Sequence, residues 1–217
     1  MNAISQTLKP RFRGGIHVFS FILAVSLIAP TVSSVSGLEN RLVVLLYSAS
    51  ITLLFGVSAL YHRIKWNNSL ERWIRQLDHS LIFVAIAATY TPIAVFTLTP
   101  WVGKFLLIIV WGGSAVGIAI RFFFADVSPK AIALPYILVG WSLLLVVSDA
   151  WSNLGALGFV LIFTGGVSYT IGALVFAFQK PDPWPNTFGF HEVFHSLTFL
   201  GAALHYCVIT FIVIPMA

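Results

Sequence analysis

Seven long apolar stretches, separated by short segments rich in polar residues, glycine and proline, dominate the pattern of this chain of 217 residues. A helix needs roughly 20 apolar residues to cross a bilayer, so seven crossings would use about 140 residues. The pattern therefore predicts an all-α integral membrane bundle of seven transmembrane helices. They lie at Ile16–Ser36, Leu42–Tyr61, Ser80–Leu98, Val102–Phe124, Ala131–Ser148, Leu154–Phe178 and Val193–Pro215.

The connections between these stretches are short. The longest polar connection is predicted from His62 to Asp78, 17 residues counting both ends, so no water-soluble domain is inserted and residues 1–217 form a single transmembrane domain. The first stretch follows basic residues and precedes small ones, which is also the pattern of a signal peptide. Because its apolar run exceeds the usual hydrophobic region of such a peptide, we expect a retained helix.

The composition supports a membrane protein. Hydrophobic residues make up 59% of the chain and charged residues 9%, whereas an average globular protein has about 25% charged residues. Cys207 is the only cysteine, which excludes a disulfide framework and a thiolate-rich structural zinc site. The net charge of +5 does not indicate nucleic-acid binding, because no segment is long enough to form a solvated basic face with aromatic residues.

The distribution of lysine and arginine predicts the orientation, because these residues are enriched in cytoplasmic loops. In the arrangement above, two of the 12 lie on one side, Arg41 and Lys104. The other ten share the side of the N-terminus: Lys9, Arg11, Arg13, Arg63, Lys65, Arg72, Arg75, Arg121, Lys130 and Lys180. The count predicts a cytoplasmic N-terminus and a C-terminus outside.

Polar side chains within or beside membrane helices are costly, so each needs an explanation. Ser58 and His62 are four residues apart, and His191 and His195 have the same spacing. Residues at this spacing lie on one face of a helix. The second pair therefore directs two imidazoles towards one point, which is the geometry that a transition metal needs.

The predicted orientation brings these groups to a common depth. Helix two ends inside at His62, helix three begins inside at Asp78, and helix seven begins inside near His191. Three imidazoles at one level, the third from His195, can bind a tetrahedral Zn²⁺ with a water in the fourth position. Asp78 could hold that water or orient a ligand as a partner outside the coordination sphere.

Other interpretations of these histidines are also open. An imidazole near the membrane surface can simply face lipid headgroups, because it is amphipathic, and His62 alone would be interpreted in this way. We assign structural roles to His17 and His205. His205 is ten residues beyond His195, about 15 Å further along the helix axis, so it cannot share the same metal.

Four segments, in this order, resemble the signature segments of the hemolysin III family, the bacterial branch of the progestin and adipoQ receptor proteins. These segments are Ser58–His62, Leu77–His79, Ala88–Pro92 and His191–His195. The family includes the adiponectin receptors and resembles the alkaline ceramidases, and its seven helices and orientation match the prediction. The short segment before helix one is similar to the bacterial branch. The animal receptors resemble one another in having a tyrosine at the position of His79. Because this chain differs there, the resemblance implies no role for His79.

The resemblance also implies a site. It would contain a zinc ion held by His62, His191 and His195. Asp78 would contact a zinc-bound water, and Ser58 would lie beside it.

The leading hypothesis is a zinc-dependent intramembrane hydrolase that cleaves an acyl amide or ester of a membrane lipid. Zinc bound by three neutral histidines lowers the pKa of its water to about 7 and polarises the scissile carbonyl. Asp78 would be the general base and would later pass the proton to the leaving group. Ser58 would hydrogen-bond the water or the oxyanion. A lipid or fatty-acyl substrate could enter sideways between helices.

Hypotheses from other classes use the same residues differently. The main alternative is a non-catalytic sensor or regulator of membrane lipids, with zinc as a structural pin between helices two and seven. Pore formation, which the word hemolysin suggests, is disfavoured because seven hydrophobic spans leave no way to shield a soluble form. An ion-coupled transporter would usually have charges at the midplane, where this chain has few acids. A retinal protein needs a lysine in its last helix, and no lysine follows Lys180.

Overall fold

The computed structural model describes residues 12–123 and 129–217, of which residues 129–132 are described by their backbone alone. All the regular elements in this part of the chain are helical. The 3₁₀ segment Ser142–Val146 joins α5 to α6, and the π-helical turn Ile209–Val213 extends α7. The α-helices are α1 (Gly15–Ser33), α2 (Leu38–Arg63), α3 (Asn68–Thr97), α4 (Pro100–Phe123), α5 (Pro129–Gly140), α6 (Val147–Phe178) and α7 (Phe190–Val208).

The helices form a closed ring. Each α-helix packs on the next one in the chain, and α7 also packs on α1. Among the helices long enough to cross a membrane, α3 is the most buried and α1 the least. The largest apolar cluster joins Ala87 of α3, Leu106 and Val110 of α4 and Val208 of the last helix. The ring therefore places the last helix of the chain beside the first.

Within the described residues, six helical stretches are long and apolar enough to cross a membrane. Four correspond to the first four predicted helices, and Phe190–Met216 contains the predicted seventh. The predicted fifth and sixth helices both fall within one stretch, Ala133–Phe178, of 46 residues. The all-helical multi-pass architecture is therefore confirmed, while the count of seven crossings and the orientation of the termini stay predictions.

The backbone leaves the helical conformation inside this 46-residue stretch. At Gly155, φ is 66° and ψ is 173°, a combination that is open essentially only to glycine. Gly155 lies one residue beyond Leu154, the predicted start of the sixth helix. The observed break therefore coincides with the predicted boundary between the fifth and sixth apolar stretches.

A second break, where α5 gives way to the 3₁₀ segment, is stabilised by Tyr90. The backbone groups freed by a helix break must find partners inside a membrane. The Tyr90 hydroxyl donates to the Gly140 carbonyl at 2.6 Å and accepts from the Leu143 amide at 3.1 Å. The Ala88–Pro92 segment, whose pattern contributed to the family resemblance, therefore contains a residue that stabilises the neighbouring helix.

The polar segment between His62 and Asp78 is mostly helical, so the prediction of a long connection was wrong. Since α2 continues to Arg63 and α3 begins at Asn68, only residues 64–67 connect them. The Asn67 side chain accepts a hydrogen bond from the Leu70 amide at 2.9 Å, which is the capping interaction that begins a helix. Asp78 consequently lies about 15 Å along α3 rather than at its first residue.

Candidate metal centre

The three histidines that the sequence singled out come together where α2 ends and α7 begins. His62 is the penultimate residue of α2, and His191 and His195 lie in the first two turns of α7. One possible ligand atom from each residue lies within 4.8 Å of the other two. His62 Nε2 and His191 Nε2 are 3.2 Å apart. The three side chains therefore form one compact group, although two of them are separated from the third by more than a hundred residues.

The first turn of α7 positions two of these imidazoles. The helix begins at Phe190, three residues before the predicted start, so that His191 and His195 are both helical and share one face. The Glu192 carboxylate accepts a hydrogen bond from the Gly189 amide at 2.8 Å. This contact satisfies an amide that the helix itself leaves unpaired. The start of α7 is thus fixed directly beside the first histidine.

The nitrogen atoms of His195 allow a test of whether a metal fits the group. His195 Nδ1 lies 2.6 Å from His17 Nε2, whereas its Nε2 is buried and has no hydrogen-bond partner among the described residues. A buried polar atom without a partner costs free energy, which a metal bond would offset. Zinc–nitrogen bonds of about 2.0–2.1 Å in a tetrahedron imply nitrogen separations of roughly 3.3 Å. The residues present therefore fit a zinc ion after a small adjustment of the rings.

Asp78 and Ser58 form a buried pair. Their exposed fractions are 7% and 3%, and the Ser58 side chain interacts with the Asp78 carboxyl. Ser58 lies one helical turn before His62 on the same face of α2. Asp78 is not a member of the compact group of metal-ligand atoms found in the described residues. The structure thus connects Asp78 to the histidine-bearing helix through Ser58.

His17 is the residue of this region that the sequence analysis did not connect with the site. It is 2% exposed and lies in the first turn of α1. Besides its contact with His195, its ring stacks on that of His62, with centroids 6.1 Å apart and planes at 12°. The predicted orientation contained a signal, because it puts the start of helix one on the same side of the membrane as the end of helix two.

An ion pair near the site also escaped the sequence analysis. Arg13 Nε donates to Glu192 Oε1 at 2.6 Å, and Glu192 is almost completely buried. Arg13 comes four residues before His17, and Glu192 comes three residues before His195. Two contacts, Arg13 with Glu192 and His17 with His195, therefore join the start of α1 to the start of α7, about one turn apart along the chain.

The other two histidines lie outside the group. His205 Nε2 is 3.0 Å from the Ile162 carbonyl oxygen, which confirms that it does not share the contacts of His195. His79 lies next to Asp78, and its backbone carbonyl accepts a hydrogen bond from Tyr136 at 3.0 Å. Within the described residues, neither imidazole joins the cluster of His62, His191 and His195.

An apolar cavity of about 150 Å³ lies among α1, α2 and α7. It begins about one turn beyond the histidines, at Ser20 after His17 and at Phe199 after His195. Phe55 lines it and also contacts the His17 ring, with centroids 5.7 Å apart. A hydrocarbon chain is chemically suited to this space, which opens next to the polar group.

Comparison with known proteins identifies the family. The chain matches the family described as "Haemolysin-III related" over residues 5–206. It is 31% identical over 221 aligned positions to "Hemolysin-3" of Bacillus cereus, covering 100% of this chain and 98% of the relative. It is also 31% identical over 169 positions to "Hemolysin-3 homolog" of Bacillus subtilis (strain 168), covering 77% and 76%. The chain is therefore a multi-pass bacterial membrane protein that belongs to the haemolysin-III-related family.

Proposed function

We propose that this protein is a zinc-dependent hydrolase that cleaves the acyl amide or ester bond of a lipid within the membrane. The observation that carries the proposal is the group of three imidazoles, in which the buried His195 Nε2 has no hydrogen-bond partner among the described residues. His62, His191 and His195 would hold the ion. Three nitrogen ligands leave one coordination position open, which is typical of catalytic rather than structural zinc.

The remaining chemistry falls to Asp78 and Ser58. Zinc, when bound, lowers the pKa of a water to about 7 and polarises a carbonyl group. Asp78 takes up the proton of the attacking water on a carboxylate oxygen and returns it to the leaving amine or alcohol. The Ser58 hydroxyl, which interacts with Asp78, orients the carboxyl. Because Asp78 and Ser58 are both buried, the Asp78 carboxylate keeps one position and does not have to be ordered again in each turnover.

The lipid substrate class is supported by the cavity among α1, α2 and α7. Along α1 its lining extends from Ser20 to Leu27, which corresponds to about 10 Å of helix and suits part of an acyl chain. The scissile group of a lipid in this cavity would lie towards the imidazoles. The membrane itself would supply such a substrate laterally.

The proposal includes seven crossings with the N-terminus inside the cell. A helix of 46 residues would be about 70 Å long, more than twice the roughly 30 Å of the hydrocarbon core, so a chain that bends at Gly155 can cross twice. The ten-to-two distribution of basic residues supports this orientation, although Lys9, Arg11 and the side chain of Lys130 lie outside the described part of the chain.

A reporter fusion tests this topology. We expect an enzyme that is active only in the periplasm to be active when it is fused after Ala217, and a matched fusion after residue 65, in the connection from α2 to α3, to be inactive. The opposite pattern of activities would overturn the orientation and with it the cytoplasmic depth of the histidines.

A second candidate function is a non-catalytic regulator in which the metal pins helices together. The observation that favours it is that the imidazoles come from α2 and α7, while His17 connects the same group to α1. Metal removal would then loosen three helices and abolish no reaction. Asp78 separates the two candidates, because only a hydrolase needs its carboxylate as a base.

The decisive experiment measures zinc content and lipid hydrolysis on one purified sample of Asp78→Asn. We expect the variant to retain most of its zinc and to lose hydrolysis of ceramide-like amides or phospholipid esters by about 10²- to 10⁴-fold, since asparagine cannot accept the proton. Asp149→Asn, the same change in the first turn of α6, serves as the control and should behave as the wild type. Wild-type protein that holds zinc and hydrolyses no lipid of a broad panel would favour the regulator.

A further inference from the structure

The start of α1 is built into the histidine group, although α1 is otherwise the least buried of the candidate spans. Gly14 precedes the helix with φ at 77°, a left-handed conformation that favours glycine. A Cβ atom at this position would lie only 2.9 Å from the His62 Cβ. Glycine therefore allows the first turn of α1 to approach His62 closely, and this approach brings His17 to the centre of the group.

The ion pair between Arg13 and Glu192 fixes this arrangement independently of His17. The Glu192 carboxylate accepts from the Arg13 guanidinium with one oxygen and from the Gly189 amide with the other. Charge-assisted hydrogen bonds of this length are among the stronger ones in proteins. The start of α1 is thus held against the start of α7 one turn away from the contact between His17 and His195.

The protonation of His195 determines what His17 does. A neutral imidazole carries one proton, on either Nδ1 or Nε2. If His195 offers its unpartnered Nε2 to a metal, the proton must be on Nδ1, and Nδ1 then donates to His17 Nε2 at 2.6 Å. A hydrogen bond from the second nitrogen of a metal-binding histidine fixes the tautomer and orientation of the ring and increases its basicity.

His17 is free to accept this hydrogen bond. Its Nδ1 is buried and has no hydrogen-bond partner among the described residues, so no other contact dictates which of its nitrogens carries the proton. His205, in contrast, uses Nε2 to donate to the Ile162 carbonyl. The two residues therefore differ in role although both are histidines within the same bundle.

We propose that His17 is a positioning residue, which accepts a hydrogen bond from His195 Nδ1 and thereby holds the His195 ring in the tautomer and orientation that bind the metal. This inference rests on the metal site of the proposed function and does not require that the protein hydrolyses lipids. It assigns the first helix a direct part in the metal centre, across 178 positions of sequence.

Two variants of His17 separate a hydrogen-bonding role from a packing role. In His17→Gln, the amide oxygen can take the place of Nε2 and accept the hydrogen bond; in His17→Phe, the ring fills the space but accepts none. We expect His17→Phe to weaken zinc binding by about 10- to 100-fold, and His17→Gln to restore most of the affinity. His205→Gln is the matched control and should bind zinc as the wild type does.

The measurement is chelator competition for zinc in the full-length protein in detergent, together with the visible spectrum of the Co²⁺-loaded protein. The spectrum of His17→Phe should shift because the His195 ring turns, while three imidazoles remain bound. Wild-type affinity and spectrum in His17→Phe would overturn the proposal, as would equal losses in the Gln and Phe variants. If His17→Phe does not fold, His17→Asn, whose shorter amide does not reach His195 Nδ1, replaces it. If the wild-type protein binds no metal, the metal site itself is overturned. If it binds zinc but hydrolyses no lipid, only the hydrolase proposal fails, and the zinc affinities of the variants still test the role of His17.

Discussion

His195 and His205 lie ten residues apart on α7, and in the described part of the chain only His195 belongs to a group that could hold a metal ion. His205 Nε2 faces the Ile162 carbonyl oxygen, and because a carbonyl only accepts, this nitrogen must carry the proton. His195 Nδ1 lies 2.6 Å from His17 Nε2, while its Nε2, a member of the group of three imidazoles, has no hydrogen-bond partner among the described residues. The chemistry of the partner therefore distinguishes the two residues.

The neighbouring helix determines which partner each histidine finds. Beside His205, α6 carries Gly165, and a side chain at Gly165 would collide with the imidazole. The glycine lets the ring approach the backbone of α6, where a carbonyl satisfies it. Beside His195, α1 and α2 offer further imidazoles instead. A histidine nitrogen that donates to a backbone carbonyl has its hydrogen bond without a metal. When histidines contact each other instead, a ring nitrogen can keep a lone pair that is available to a metal.

The largest effect that this comparison predicts is on metal binding. His195→Ala should weaken zinc binding by more than about 100-fold, because changes in partners outside the coordination sphere already cost about 10- to 100-fold. His205→Ala should leave the affinity unchanged and lower the free energy of unfolding by about 1 kcal/mol through one lost hydrogen bond. Elemental analysis and chelator competition measure the first quantity, and thermal unfolding reports the second.

The other two histidines extend this test. His62→Ala and His191→Ala should each resemble His195→Ala, because each variant would remove one of the three nitrogen ligands of the proposed site. Equal zinc retention in these variants and in His205→Ala would mean that the group binds no ion. The distinction between the two ends of α7 would then have no functional meaning.

Much of the helical architecture could be predicted, because long apolar stretches in a membrane have few alternatives to the helix. The start of α3 could not, since the polar segment after Asn67 has the composition of a solvated loop, and the local signals are weak: the Asn67 cap and an acidic residue, Glu71, in the first turn. The stretch from Ala133 to Phe178 posed the opposite problem. Its apolar pattern suggests two helices, and in the structure the predicted boundary between them coincides with a change of backbone conformation at Gly155.

The histidine group could be predicted in part for a similar reason. The spacing of His191 and His195 is local and readable, and the distribution of basic residues brought His62 to the same depth. The contact between His17 and His195 depends on the closure of the ring of helices, which no local spacing encodes. The pairing of Asp78 with Ser58 agrees with the expected grouping, whereas the catalytic roles of both residues stay predictions.

A smaller effect is expected from the part of α7 that lies between the two histidines, where the apolar cavity is located. Ala203 lines the cavity, and Ala203→Phe should fill much of its volume of about 150 Å³. We expect hydrolysis of long-chain substrates to fall by about 10-fold relative to short-chain ones, since hydrophobic pockets discriminate chain length by such factors. Zinc affinity should stay unchanged, because the substitution is two turns from His195.

Leu200→Phe provides the matched control, because Leu200 lies on the same helix with 47% of its surface exposed and does not line the cavity. Binding of a fluorescent fatty acid to the two variants measures occupancy of the cavity without relying on turnover. Reduced binding in Ala203→Phe alone supports an acyl chain between the histidines of α7. Equal binding in both variants would assign the hydrocarbon chain to another part of the bundle. A change in zinc affinity would mean that the cavity and the metal centre are not separate regions of α7.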